Sequence, residues 1–157
     1  GAAEIKSEEV GAAKNLLDAG GAQVILPADV VTGRTFQQNS IPTVYQATNV
    51  PHDALIMDIG PRATKEYARI LGIANTILWN GPMGVFEWEA FSKGSIGVAR
   101  AIAANLKATS VIGGGSTAEI VKSQNLSKQI THVSTGGGAS LEYLEGKILP
   151  GVAALDW

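Results

Sequence analysis

Two stretches of this chain set hydroxyl side chains beside a run of glycines, where an apolar β-type segment gives way to a helical one. One is Val133-Ser134-Thr135-Gly136-Gly137-Gly138-Ala139-Ser140-Leu141. The other runs Ser110-Val111-Ile112, Gly113-Gly114-Gly115-Ser116-Thr117, then Ala118-Glu119-Ile120-Val121. Three successive residues without Cβ let the backbone turn sharply and let another group approach within hydrogen-bonding distance. The first amide N–H groups of a helix have no internal partner and point into such a turn. Together with the positive end of the helix dipole they form a site for an anion, and phosphate is the usual guest. One triple glycine serves equally well as a tight turn where a helix packs on a strand. Two, in the same place in successive strand–helix units, favour the ligand reading.

Trp79-Asn80-Gly81-Pro82-Met83-Gly84-Val85-Phe86-Glu87 is the third stretch with chemical content. In its plain reading Trp79 is core and Asn80 caps a turn. In its functional reading the glycines form a wall against which a flat base lies, with Glu87 placed to accept from ribose hydroxyls. Gly113 to Ala118 fits G-x-G-x-x-A, the dinucleotide fingerprint, but Thr131, His132 and Val133 stand where the ribose-binding acid belongs. The second unit fails at its third small residue, Leu141, and no G-x-x-x-x-G-K-[ST] occurs. Phosphate can still be held by amides without either motif. Asp29 and Asp58 read as caps at strand ends, His52 and His132 as structural or surface residues, and Met57 as core bordering the site. Lys65, Arg69 and Arg100 read as solvated helix charges.

The elements that must position these residues follow from the hydrophobic pattern. A helix capped by Ser7 runs through Leu16 and Leu17 to Gly20-Gly21. Gln23 to Leu26 reads as a short buried strand closed by Pro27. Asp29 to Thr32 is extended, Gly33 to Ser40 a polar loop, and Thr43 to Gln46 an edge strand or hairpin arm. Ala54 to Met57 is an apolar strand ending at Asp58. Pro61 opens a helix to about Leu71, with Tyr67, Ile70 and Leu71 inward. Thr76 to Trp79 is a buried strand, and from Ser92 a helical stripe runs through Ile96, Val98, Ala99, Ile102, Ala103 and Leu106. The two glycine units follow; Pro150-Gly151 closes the regular structure and Val152 to Trp157 is a tail. Alternating strands and helices predict an α/β, doubly wound (Rossmann-like) three-layer sandwich on a mostly parallel sheet, as a single domain over 1–157. Ligands in such sheets bind beyond the carboxyl ends of the strands, where Asp58, Asn80-Gly81, Gly113 to Ser116 and Ser134 to Gly138 gather.

With 157 residues the chain is long enough to bury one core. A net charge of −2 argues against a nucleic-acid partner or an anionic membrane surface. No apolar run reaches the roughly 18 residues of a membrane span, and no signal peptide is recognisable. Zero cysteines exclude disulfides and suit a reducing compartment without establishing one; the expected location is cytoplasmic. Gly1-Ala2-Ala3 opens without methionine, which reads as a piece of something longer.

The stretch from Trp79 to Glu87, Ile112 to Gly115, Ser134 to Gly146, and Leu149 to Ala154 together resemble phosphoglycerate kinase. Leu26 to Val31 and Asp58 to Pro61 extend the likeness along essentially the whole chain, but only to the later part of that family's nucleotide-binding lobe. The resemblance implies reversible phosphoryl transfer between 1,3-bisphosphoglycerate and MgADP, giving 3-phosphoglycerate and MgATP, in a hinged cleft. Met57, Gly81, Pro82 and Val85 would line the adenine side, Asn80 would position the nucleotide, and Glu87 would hold the ribose. Gly114, Gly115 and Thr117 would face the phosphates. Gly115 and Gly136, Gly137 and Gly138 would lie where the transferring group develops charge, with Ser134 and Thr135 near the hinge. Ser116 stands where the family usually carries the aspartate that serves magnesium, so it would be a weaker metal ligand, and Glu119 would be the compensating acid.

The resemblance further implies that 3-phosphoglycerate reaches this site only through a lobe the chain lacks, and that the piece alone turns over nothing. The complete enzyme reads as a monomer, and the isolated piece as prone to self-association through unpaired edges. Two rivals stand beside this reading: a free-standing dinucleotide- or phosphate-binding module, and a folding fragment without a ligand.

Overall fold

The computed structural model describes residues 1–2 and 6–155. In chain order it comprises α1 (Ser7–Asp18), β1 (Asp29–Gly33), β2 (Thr43–Gln46), β3 (Leu55–Ile59), α2 (Pro61–Leu71) and β4 (Thr76–Asn80). There follow α3 (Lys93–Ala104), β5 (Thr109–Gly113), α4 (Gly115–Ser123), β6 (His132–Ser134), α5 (Gly137–Leu144) and the short α6 (Pro150–Ala153).

The α/β class is as expected, and β4, β5 and β6 form a parallel sheet in that order. Each pair is joined by a helix, α3 and then α4, which gives the chain the length to return to the same end. The other three strands form a separate antiparallel sheet, ordered β2-β1-β3. The loop from β1 to β2 is too short for a crossover, so the chain reverses there, whereas residues 47–54 carry it past β1 to β3, which runs parallel to β2 on the opposite edge. Strand β1, central in that sheet, is buried along its whole length.

Helices α2 and α3 pack on each other, and the main core lies between the helices and one face of the parallel sheet. Ile59, Ala63, Ile77, Trp79, Val98, Ala99, Ile102, Ile112, Ile120 and Val121 belong to it. A smaller cluster of Val31, Met57 and Phe91 sits under the antiparallel sheet. Strand β4 is buried on one face only: Ile77 and Trp79 point into the core while Leu78 is 43% exposed. The opposite face is partly flanked by α5, which leaves a cavity of about 490 Å³ lined by Leu78, Val111, Ala139, Tyr143 and Leu144.

Several local expectations are corrected. Gln23 to Leu26 forms no strand and Leu26 is 65% exposed; the segment has no ladder partner among the described residues, and its tie is the Tyr67 hydroxyl donating to the Ile25 carbonyl at 3.1 Å. Lys6, not Ser7, takes the N-cap of α1, and α1 buries no residue. Leu106 lies beyond the end of α3 and is exposed. Pro150 opens α6 rather than closing the regular structure, as its fixed φ suits a first helical residue. Of the expected tail, residues 156–157 lie outside the described residues.

Helix α2 starts at Pro61 as the sequence predicts, but its cap comes from far away. Asp29, buried at the start of β1, accepts hydrogen bonds from the amides of Ala63 (2.8 Å) and Arg62 (3.1 Å). A Cβ on Gly60 would run into this carboxylate. The acid thus replaces a local N-cap and pins α2 to the antiparallel sheet. Asp29→Ala is expected to lower the unfolding free energy by about 2 kcal/mol, the loss of a cap plus two unsatisfied amides. Urea denaturation followed by circular dichroism measures it, and an unchanged midpoint would remove the aspartate from this role.

Candidate functional site

The carboxyl ends of the parallel strands lie in one row. In the ladder Asn80 pairs with Gly113 and Gly113 with Ser134, so the three strands finish side by side. Each then reverses into the segment the sequence analysis singled out. Gly114 takes φ +96°, a conformation that only glycine adopts readily, and its amide donates to the Ser134 carbonyl at 3.1 Å. That bond ties the first glycine turn to the second.

The turns also touch through their backbones. A Cβ on Gly137 would stand 2.9 Å from the Gly114 Cα and 3.2 Å from the Asn80 Oδ1. Asn80 Nδ2 donates to the Gly137 carbonyl at 3.3 Å, so this side chain sits against both turns. Gly81, with φ +92°, donates its amide to the Thr117 Oγ1 at 2.9 Å. The Gly136 amide reaches Ser134 Oγ at 3.2 Å, and Ser140 Oγ returns to the Gly136 carbonyl at 2.7 Å. Asn80, Gly81, Gly114, Thr117, Ser134, Gly136 and Gly137 therefore form one connected group.

The amides next along each helix are free. Those of Gly115, Ser116 and Thr117 at the start of α4, and of Gly137, Gly138 and Ala139 at the start of α5, have no hydrogen-bond partner among the described residues. They are the orphan donors of two helix N-termini. Among the described residues, no atom beyond the immediate chain stands within 4 Å of a Cβ placed on Gly115 or Gly138, so the donors border open space.

The remaining candidates are placed differently. Met57 is 2% exposed and lies in the small core cluster, with Val85 packed on it and the Val85 amide donating to the Met57 carbonyl at 2.8 Å. Pro82 and Glu87 are exposed on the 81–87 segment that links this cluster to the strand ends. Ser116 is exposed, whereas Thr117 is buried and its hydroxyl oxygen is occupied by Gly81. His52 and His132 are exposed, and Arg100 bonds Gln124 across the surface.

Two positioning residues escape a reading by motif. Asp58 is buried at the end of β3 and accepts from the amides of Gly94 (2.7 Å) and Ile59 (2.9 Å). Ser95 Oγ accepts the Met83 amide at 2.9 Å. Together they fix both ends of the loop between β4 and α3, and a Cβ on Gly84 would meet Asp58 Oδ1 at 2.6 Å. Nothing local announces this: Ser92, a residue type suited to capping, stands at the N-cap of α3, yet its hydroxyl donates to the Glu89 carbonyl and the capping carboxylate comes from β3.

A phosphoglycerate kinase family model matches residues 1–147. The chain belongs to the phosphoglycerate kinase family. Among curated relatives, the phosphoglycerate kinase of Borreliella burgdorferi (strain ZS7) is 46% identical over 155 residues, covering 97% of this chain and 39% of the relative. That of Clostridium novyi (strain NT) is 44% identical with the same coverage. The solved phosphoglycerate kinase of Coxiella burnetii superposes with a TM-score of 0.86 at 38% identity, over 94% of this chain and 39% of that one. The enzyme of Pyrococcus horikoshii OT3 gives 0.82 at 36% identity, over 94% and 36%. This member of the phosphoglycerate kinase family thus spans about two fifths of the length of the relatives it matches. No described helix is long and apolar enough to cross a membrane.

Burial pushes the Asp58 carboxyl up to about 6, against which the Gly94 and Ile59 amides pull it down. Between pH 4 and 6 the folded chain holds a proton that the unfolded chain, with the ordinary value near 3.8, has lost. This group therefore adds stability as the pH falls from 7 to 4, on the order of 2 to 3 kcal/mol in all. Chemical denaturation at a series of pH values is expected to show that slope, and Asp58→Asn to flatten it; an identical slope in the variant would contradict the assignment.

Proposed function

We propose that this chain is the phosphate-cradling part of a phosphoglycerate kinase, and that its two glycine turns hold the polyphosphate of ADP or ATP. The observation that carries the reading is the backbone contact between Gly114 and Gly137, which sets six free amides at two adjoining helix N-termini. A nucleotide phosphate is the ligand such a surface suits. Phosphoryl transfer asks mainly for positioning and charge stabilisation, which fixed amides supply without reorganising. Gly115, Gly136, Gly137 and Gly138 take the transferring group's charge, and Ser116 and Thr117 border it. Asn80 and Gly81 position the nucleotide; Met57, Pro82 and Val85 lie on the adenine side, and Glu87 meets the ribose.

Magnesium enters this scheme on the nucleotide. No three of His, Asp and Glu gather into a metal site among the described residues, and Ser116 offers one neutral hydroxyl. Those donors fit a cation already carried by phosphates and water rather than one held by the protein. When bound, the ion would neutralise phosphate charge; the chain's own residues bind and orient the nucleotide. The acyl-phosphate partner, 1,3-bisphosphoglycerate or 3-phosphoglycerate, belongs to the part of the relatives' length that this chain does not span. Alone, the chain turns over no substrate, and its half-covered parallel sheet favours association with another copy.

Calorimetric titration separates this reading from a dinucleotide module. Heat with ADP and none with NAD⁺ is expected; heat with NAD⁺ alone would replace the reading, and none with either would leave a folding fragment. Gly137→Ala should weaken ADP at least tenfold while the fold persists by circular dichroism, because the added methyl pushes the two turns apart.

Ser116→Asp tests the metal half of the reading. In a complete enzyme built on this chain, it should shift a magnesium titration of nucleotide binding to lower concentration. An unmoved titration would take residue 116 out of metal binding.

A further inference from the structure

A second ligand-sized space lies away from the glycine turns and shares no lining residue with them. It is a cleft of about 560 Å³ between the β1–β2 hairpin and helices α2 and α3. Val31, Val44, Ile59 and Ala68 give it an apolar surface, and Lys65 and Lys93 are its charged lining residues. The two helices approach closely behind it, where a Cβ on Gly97 would run into the Thr64 methyl. The volume falls within the roughly 300–1,000 Å³ of small-molecule sites.

The charge around the cleft is one-sided. No acidic side chain lines it, and neither lysine joins an ion pair with a described residue. The buried acids of β1 and β3 are already engaged: Asp29 by the amides of Arg62 and Ala63, Asp58 by those of Gly94 and Ile59. Lysine stems can lie along an apolar wall while their ammonium groups stay at its mouth. An apolar floor with two uncompensated ammonium groups complements an apolar body that ends in one anion. It does not complement an inorganic anion, which would leave the floor unfilled, or a neutral hydrocarbon, which would leave the lysines idle.

We propose that this cleft binds a single-chain amphipathic carboxylate, with its acyl part on Val31, Val44, Ile59 and Ala68 and its carboxylate on Lys65 and Lys93. The site is independent of the nucleotide reading. Dodecanoate, kept below its micelle concentration and titrated calorimetrically into the chain, is expected to saturate one site. Decanol and dodecyltrimethylammonium should bind at least tenfold more weakly. Lys65→Glu with Lys93→Glu should cost dodecanoate at least tenfold in affinity. Val44→Trp should do the same by filling the cleft, with an unaltered circular dichroism spectrum in both cases. Leu78→Gln, on the open sheet face, and saturating ADP should change nothing. Equal binding of the three amphiphiles would overturn the proposal. So would binding only to phosphatidylglycerol vesicles, loss of binding through Leu78→Gln, competition by ADP, or no saturable heat.

Discussion

Everything at the carboxyl end of the parallel sheet depends on two backbones lying closer than side chains would allow. Gly114 and Gly137 come from different strand–helix units, and the ladder that aligns Asn80, Gly113 and Ser134 delivers them to the same place. Their contact needs two separate permissions: a positive φ at Gly114 and a missing Cβ at Gly137. With both granted, two helix N-termini adjoin, and the donors that neither helix can satisfy internally face one volume. The Asn80 side chain braces the junction without covering it, since its amide is spent on Gly137.

Buried carboxylates serve the scaffold around the antiparallel sheet. Asp29 and Asp58 both lie in the antiparallel sheet; Asp29 gives both oxygens, and Asp58 one, to the N-terminus of a helix that packs on the main core. Two sheets that share no ladder are thereby coupled through α2 and α3. The same acids explain why glycines recur at 60, 84 and 94, where any side chain would collide with a carboxylate or the strand that bears it. These glycines are structural, in contrast to those of the turns, although all look alike in the sequence.

Local chemistry was legible in the sequence and long-range pairing was not. The proline at 61 marks the start of α2, and the apolar stripe through Val98, Ala99 and Ile102 marks the buried face of α3. The glycine turns and their position at strand ends were equally readable, because strand, turn and helix are contiguous there. Strand formation at Gln23 to Leu26 could not be judged that way: an apolar run becomes a strand only beside a partner, and no described residue provides one. The antiparallel pairing of β1 with β2 turned on connection length, which periodicity ignores. The resemblance turns Thr117 toward the phosphates, but no local pattern announces that its oxygen also accepts the amide of Gly81, a residue 36 positions away.

The glycines of the two turns fall into unequal classes, with consequences for how such a surface drifts over generations. At Gly114 and Gly137 a change strikes the backbone itself and is felt by both units at once. Gly115 and Gly138 have ordinary φ and look onto empty space, so a side chain there would project outward and leave the scaffold intact. The serine at 116 sits beside this permissive class and is exposed. A lineage can therefore vary what the rim offers to a bound molecule, in charge or bulk, while the architecture beneath stays fixed.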